Sequence, residues 1–227
     1  MNKKYRTELK YTCNEFDLLI IEEKIKHICS LDSHASIQNK YTVSSLYLDD
    51  YQNTNYYDNQ EGFDVREKYR IRIYNNDPSD MTLECKQKLH NKNHKMQVNI
   101  STEQYNQIIS GVLEFTHFNS NALLRKFYID YTNTYLRPKV IIEYVRTPYT
   151  YQNGNVRITF DRFVSATSKI DQFTNSSIFT KPILPVNHHI LEVKYDEFIP
   201  DTIKQIINQT NLQKTSFSKY YYGRKFN

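Results

Sequence analysis

The sequence has no tryptophan, four glycines and three cysteines in 227 residues. Cys13, Cys29 and Cys85 form no C-x-x-C pair, and an odd, sparse set argues against a disulfide framework. They read as small buried hydrophobes in a protein of a reducing compartment. No apolar run approaches the ~18 residues that a membrane span needs. The N-terminus, MNKKYRTELKY, is charged from its start and has no apolar signal segment. These absences predict a soluble, cytoplasmic chain that could still dock on a separate membrane protein. There is no internal repeat and no break in composition, so residues 1–227 are expected to form one domain.

What is present is tyrosine and charge. Twenty tyrosines and twelve phenylalanines suit strands. The net charge of +5 favours an anionic partner only mildly. The placement of the charges says more.

The stretch from Asp64 to His90 reads as two strands joined by a turn at Asn75–Asp80. Side chains alternate across a strand. Lys68, Arg70 and Arg72 therefore share one face, opposite Tyr69, Ile71 and Ile73. Glu84, Lys86 and Lys88 likewise stand opposite Leu83, Cys85 and Leu89. One such hairpin would ordinarily be a solvated face. The same mixed signature recurs in Arg6-Thr-Glu8-Leu-Lys10 and in Glu192-Val-Lys194, which predicts that these faces meet.

Further strands are expected over 6–12, 40–48, 95–100, 139–149, 155–164 and 189–196. Helices are expected over Asn14–Ser30, with a stripe of Phe16, Leu19, Ile20, Ile25 and Ile28, over Ser101–Ser110, over Asn119–Tyr135 and from Pro200. A polar loop is expected over Asn91–Lys95, and a basic, tyrosine-rich tail over Ser216–Phe226. The fold class is α+β: an eight-stranded antiparallel β-barrel with helices packed on its outside. In a closed barrel the charged faces line the lumen. Cations so confined require anions, and interleaved carboxylates supply only part of that need.

The segments RTELKY (6–11), VSSLYLDD (43–50), REKYRIRIY (66–74), LECKQK (83–88), VIIEYVRTPY (140–149), VRITFD (156–161), LEVKY (191–195) and SFSKYYYG (216–223) together resemble the catalytic domain of the vacuolar transporter chaperone (VTC) polyphosphate polymerases. That domain belongs to the triphosphate tunnel metalloenzymes, which also include the CYTH-type triphosphatases. The resemblance implies a basic tunnel for a linear phosphate chain. Its substrate-gripping positions match Lys10, Arg70, Arg72, Lys86, Lys95, Arg146, Arg157 and Lys219, with Lys88 and Lys194 as further binding residues. It implies Glu192 as ligand of Mn²⁺ or Mg²⁺, joined by Glu8, with Glu84 and Glu143 as alternatives. The superfamily's opening motif, E-x-E-x-K, has Arg6 in its first place here, which fits VTC-type members better than CYTH-type ones.

The implied reaction is ATP-driven polymerisation of inorganic polyphosphate, with triphosphate or pyrophosphate as smaller ligands. A CYTH-like inorganic or nucleoside triphosphatase and a non-catalytic polyphosphate-binding module remain open. A nucleic-acid binder would place aromatics and basics together on an exposed face. Tyr69 and Tyr195 instead alternate with Arg70 and Lys194, so no nucleic-acid partner is expected. His188 and His189 are adjacent on a strand and point to opposite faces, which argues against a shared metal ion.

Overall fold

The computed structural model describes residues 6–33, 35, 39–63, 65–89, 92–210 and 212–226. In chain order its elements are β1 (Thr7–Asn14), α1 (Glu15–Ile28), β2 (Ser30–Leu31), β3 (Tyr41–Asp49), α2 (Thr54–Glu61), β4 (Val65–Tyr74), β5 (Asp77–Leu89), β6 (Lys92–Ile100), α3 (Thr102–Ser110), α4 (Ala122–Asn133), β7 (Arg137–Tyr151), β8 (Val156–Thr167), β9 (Lys181–Pro182), β10 (His188–Tyr195), α5 (Asp201–Asn208), β11 (Gln213–Lys214) and α6 (Lys219–Lys225). One antiparallel sheet runs β11-β1-β10-β8-β7-β3-β4-β5-β6, with β2 added to β7 and β9 to β8.

Eight of these strands are long, and they curl until β6 returns to β1. The barrel is not strictly closed. Among the described residues the two edges share one bridge, Arg6 with Asn93, instead of a full ladder. The curl is fixed across the lumen as well, where Lys86 of β5 reaches Glu8 of β1 at 2.7 Å.

Local chemistry sets the boundaries. Asn14 caps α1 by accepting from the Asp17 amide, and Glu15 and Asp17 face the positive helix end. Ser101 and Gln104 make a reciprocal capping box on α3, and Gly111 ends it at φ +85°. The β4–β5 turn is tighter than the sequence suggested. Asn75 and Asn76 both adopt positive φ (52° and 54°), the two-residue hairpin geometry that asparagine tolerates. The Asp-Pro-Ser-Asp run therefore opens β5 and is no loop. Likewise β6 begins at Lys92, so most of the expected 91–95 loop is strand; His90 and Asn91 lie outside the described residues.

The outer faces carry two cores. Tyr69, Ile71, Leu83 and Cys85 pack under Tyr105 and Ile108 of α3 and Leu123, Leu124, Phe127 and Tyr131 of α4. Ile158, Phe160, Leu191 and Val193 pack under α1 and α5. In α1 the buried stripe is Leu18, Ile21 and Ile25, while Phe16 and Leu19 are 72% and 51% exposed. Docking against α5 and β10 keeps Ile25 and Ile28 of the expected stripe and takes Leu18 and Ile21 in place of Phe16 and Leu19. All three cysteines are buried and free.

A third cluster lies inside the barrel. Ser45, Ile142 and Arg72 are cross-strand neighbours, so Ile142 shares the lumen face. Val43, Tyr47, Val140, Ile142, Ala166 and Ile190 surround Phe217 and Tyr220 there. The expected C-terminal tail is thus helix α6, and it enters one end of the barrel instead of packing outside. A Cβ on Gly223 would come within 2.2 Å of the Ile142 Cδ1 atom, so any larger residue would have to displace that buried side chain.

Candidate functional site

Seven strands, β1, β4, β5, β6, β7, β8 and β10, and α6 deliver the charged side chains to the lumen. Along β1 and β10 the register sets Glu8 opposite Lys194 and Lys10 opposite Glu192, a two-by-two checkerboard. Lys10 lies 3.1 Å from Glu8, and Lys194 lies 2.6 Å from Glu192. Burial and Glu192 would raise the Glu8 carboxyl, but Lys86, Lys10 and Lys194 outweigh them and bring it to about 2. Burial would lower the Lys10 ammonium, yet Glu8 and Glu192 hold it above its ordinary value. Glu192 is pulled well below the usual carboxylate range, against burial, by Lys194, Lys10, Lys219 and Arg146.

On β4 the Arg70 guanidinium donates to Glu84 Oε2 at 2.7 Å through Nε and to the Tyr47 hydroxyl at 2.8 Å. Arg72 lies 3.6 Å from Glu84 and donates to Ser45 Oγ at 3.2 Å. Lys95 of β6 reaches the same carboxylate at 3.2 Å. Three cations on one buried acid outweigh its desolvation and hold Glu84 ionised far below its normal range.

On the other side of the lumen Arg146 of β7 forks onto Asp161 of β8 at 2.7 and 2.8 Å. Lys219, the first residue of α6, reaches the same carboxylate at 2.7 Å. Arg146 also stands 3.8 Å from Glu192, linking this group to the checkerboard. Arg157 lies at the strand end away from α6, paired with Asp32 at 3.0 Å and donating to Tyr41. Its Nε and the Thr159 Oγ1 are buried without a hydrogen-bond partner among the described residues. Both belong to the lumen face of β8, where Arg157, Thr159 and Asp161 alternate in phase.

The structure thus brings Lys10, Arg70, Arg72, Lys86, Lys95, Arg146, Arg157, Lys194 and Lys219 together, with Glu8 and Glu192. Lys88 pairs in register with Arg66, a step farther along β5 from the arginines. Glu143 does not join them. It alternates with lumen-facing Tyr144 and accepts from Ser44 at 3.0 Å on the outer face. Glu84 is inside, but Arg70, Arg72 and Lys95 cover it. Among the described residues no three His, Cys, Asp or Glu side chains converge as a metal cage. Two ionised carboxylates do suit a hard cation that takes its remaining oxygens from phosphates.

Sequence reasoning missed Asp161 and the tyrosines, and it set Lys68 on the charged face without giving it a role. Asp161 was legible, since V-R-I-T-F-D places it in phase with Arg157. The separation of aromatics from basics holds on β4 and β10, where Tyr69 and Tyr195 face the outer cores. It fails on β3 and β7, where the hydroxyls of Tyr41, Tyr47 and Tyr144 accept from Arg157, Arg70 and Arg72. His189 is buried against Glu15 and His188 turns to the Val186 carbonyl, so the two do not share a site.

This antiparallel barrel with a charged lumen has the triphosphate tunnel fold. It is similar to the Hippeastrum protein HpAC1, described as having a dominant triphosphatase activity, with TM-score 0.55 at 10% identity over 98% of this chain and 96% of that one. A Bacillus halodurans protein named as a candidate adenylate cyclase matches with TM-score 0.55 at 12% identity over 96% of each chain. The PH1819 protein of Pyrococcus horikoshii matches with TM-score 0.52 at 14% identity over 98% of this chain and all of that one. The family model of the VTC domain matches residues 5–226, and the chain belongs to that family. No curated protein matches the sequence. Among the described residues no helix is long and apolar enough to cross a membrane.

Proposed function

We propose that the chain is a polyphosphate polymerase that moves the γ-phosphoryl group of ATP onto the end of an inorganic polyphosphate chain held in the lumen. The observation that carries this reading is the charge imbalance. The nine cations brought together above share five carboxylate partners, Glu8, Asp32, Glu84, Asp161 and Glu192. Buried cations in excess need an anion, and unpartnered donors at Arg157 and Thr159 need acceptors.

Phosphoryl transfer asks for in-line positioning and neutralisation of charge on the transferred group. Arg70, Arg72, Arg146 and Arg157 would grip phosphate oxygens through their planar forks, and Lys10, Lys86, Lys95, Lys194 and Lys219 would add compact charge. The attacking terminal phosphate oxygen is already anionic, so no general base is required. The new P–O bond forms as the bond between the γ-phosphorus and its bridging oxygen breaks, and ADP leaves with that oxygen. Glu192 and Glu8 would hold Mn²⁺ or Mg²⁺, which supplies charge neutralisation at the phosphates when bound.

The test is a product assay with purified protein, ATP and Mn²⁺. Long chains with stoichiometric ADP are expected. Free phosphate without chains would replace the polymerase reading with a triphosphatase. Tight polyphosphate binding without turnover would leave a binding module.

A further inference from the structure

The two ends of the lumen differ. At one, Phe217 and the α6 residues Tyr220 and Gly223 pack against Ile142 and Ala166 and fill the bore. The other is the end marked by Arg157. A nucleotide whose phosphates lie on the arginines therefore directs its nucleoside towards Arg157, away from α6.

Two tyrosines stand at that end. On β4, Tyr74 follows Arg70 and Arg72 in period two, and its register partner on β3 is Val43, which lines the lumen. On β3, Tyr41 shares that face two residues from Val43. The two rings meet edge to face with their centres 5.5 Å apart. They differ in burial. Tyr41 is 7% exposed and its hydroxyl accepts from Arg157 at 3.2 Å, so it belongs to the wall. Tyr74 is 38% exposed, and the Arg72 guanidinium lies over its ring at 6.0 Å. The backbone under the ring is held. Asn75, next in the chain, donates its amide to the Thr42 carbonyl at 2.9 Å, and its side chain accepts from the Thr42 amide at 3.0 Å. These bonds tie the hairpin to β3 beside Tyr74, so little freedom is lost when a ligand settles on the ring.

Spacing gives the ring a use. Tyr74 stands two residues beyond Arg72, roughly 7 Å along the strand. That step is comparable with the one a nucleoside triphosphate makes from its α-phosphate, through the ribose, to the base. A partly exposed ring beside an arginine is a stacking platform, because every base has a π-face and the guanidinium adds its own attraction.

We propose that Tyr74 stacks the base of a nucleoside triphosphate at the end of the lumen opposite α6, with Tyr41 backing it. The protein thereby holds a nucleotide by its base as well as by its phosphates. This rests on the reading of the lumen as a phosphate site.

The chain has no tryptophan, which makes Tyr74→Trp a single-site fluorescent reporter. Its emission is expected to be quenched by ATP far more than by tripolyphosphate, a difference that a merely structural ring would not give. Calorimetric titration of the wild type, Tyr74→Leu and Tyr74→Phe with both ligands, at one salt concentration, completes the test. Tyr74→Leu is expected to weaken ATP binding about tenfold, the scale of one base–aromatic stack, and to leave tripolyphosphate binding unchanged. Tyr74→Phe keeps the ring and is expected to keep wild-type affinity for both. Equal emission responses to the two ligands, unchanged ATP affinity in Tyr74→Leu, or ATP and tripolyphosphate weakened together, each overturns the base site alone. Binding of neither ligand by the wild type overturns the lumen reading with it. Thermal melts establish that each variant is folded.

Discussion

At the scale of single residues, Asp161 decides more than any one cation. It is fully buried, and it fixes both Arg146 and Lys219. Removing one partner of a buried ion pair leaves the others uncompensated and costs about 3–5 kcal/mol. Asp161→Asn is therefore expected to lower the melting temperature by roughly 10 °C and to weaken tripolyphosphate binding. An unchanged melt would show that the two cations find other partners. Lys68 gives a pH signature. The unfolded side chain keeps its proton up to its ordinary value of 10.5, and the folded one releases it at about 7. Between these values the unfolded state binds more protons, so this group makes stability rise with pH. Burial is the main cause of the shift, with Arg66, Lys10 and Lys86 adding to it against Asp49, and Tyr220 and Asn59 are in contact. Lys68→Met is expected to flatten that part of the melting-temperature profile between about pH 7 and 10.

At the scale of elements, α6 is the piece whose identity the sequence hid. Tyr220 is buried against Asp49, Phe217 stacks on Tyr222, and Lys10 donates to the Phe217 carbonyl at 3.0 Å. The segment looked like a basic tail because its charge, Lys219, Arg224 and Lys225, brackets the tyrosines. Nothing local announces that a helix will enter a barrel; the contact exists only once β7 and β8 have curled round it. Gly223 marks the place. Gly223→Val would overpack against Ile142 at a cost of about 1–3 kcal/mol. Faster amide exchange at Tyr220–Tyr222, with exchange in α4 unaltered, is the expected readout. By contrast, α3 and α4 were fully legible, because a capping box and the Leu123–Leu124–Phe127–Tyr131 stripe admit one phase. In α1 Phe16, Leu19 and Leu18, Ile21 offered two phases, and only tertiary packing separates them.

At the scale of the molecule, period-two alternation carried the lumen. The spacing alone puts Glu8 with Lys10, Arg70 with Arg72, and Glu192 with Lys194 on shared faces, and the registers place them there. What alternation could not give is closure. Among the described residues the β1–β6 seam shows the Arg6–Asn93 bridge and Lys86 reaching Glu8, both set by residues far apart in sequence. A lumen with surplus cations is also a stability statement. Tripolyphosphate at about a hundred times its Kd should stabilise the fold by about 2.7 kcal/mol, a shift of roughly 5–10 °C that shrinks as salt rises.

The measurement that bears most directly on the account is tripolyphosphate binding by Arg157→Ala. Arg70 is a poorer probe, because its removal strips Glu84 of its main partner and disturbs the fold. Arg157 is at the mouth, with its side chain 29% exposed and Asp32 as its acid. Titration calorimetry run beside a thermal melt should show at least tenfold weaker binding in a variant that melts within a few degrees of the wild type. Full affinity in a folded variant would contradict the claim that the lumen cations hold the phosphates.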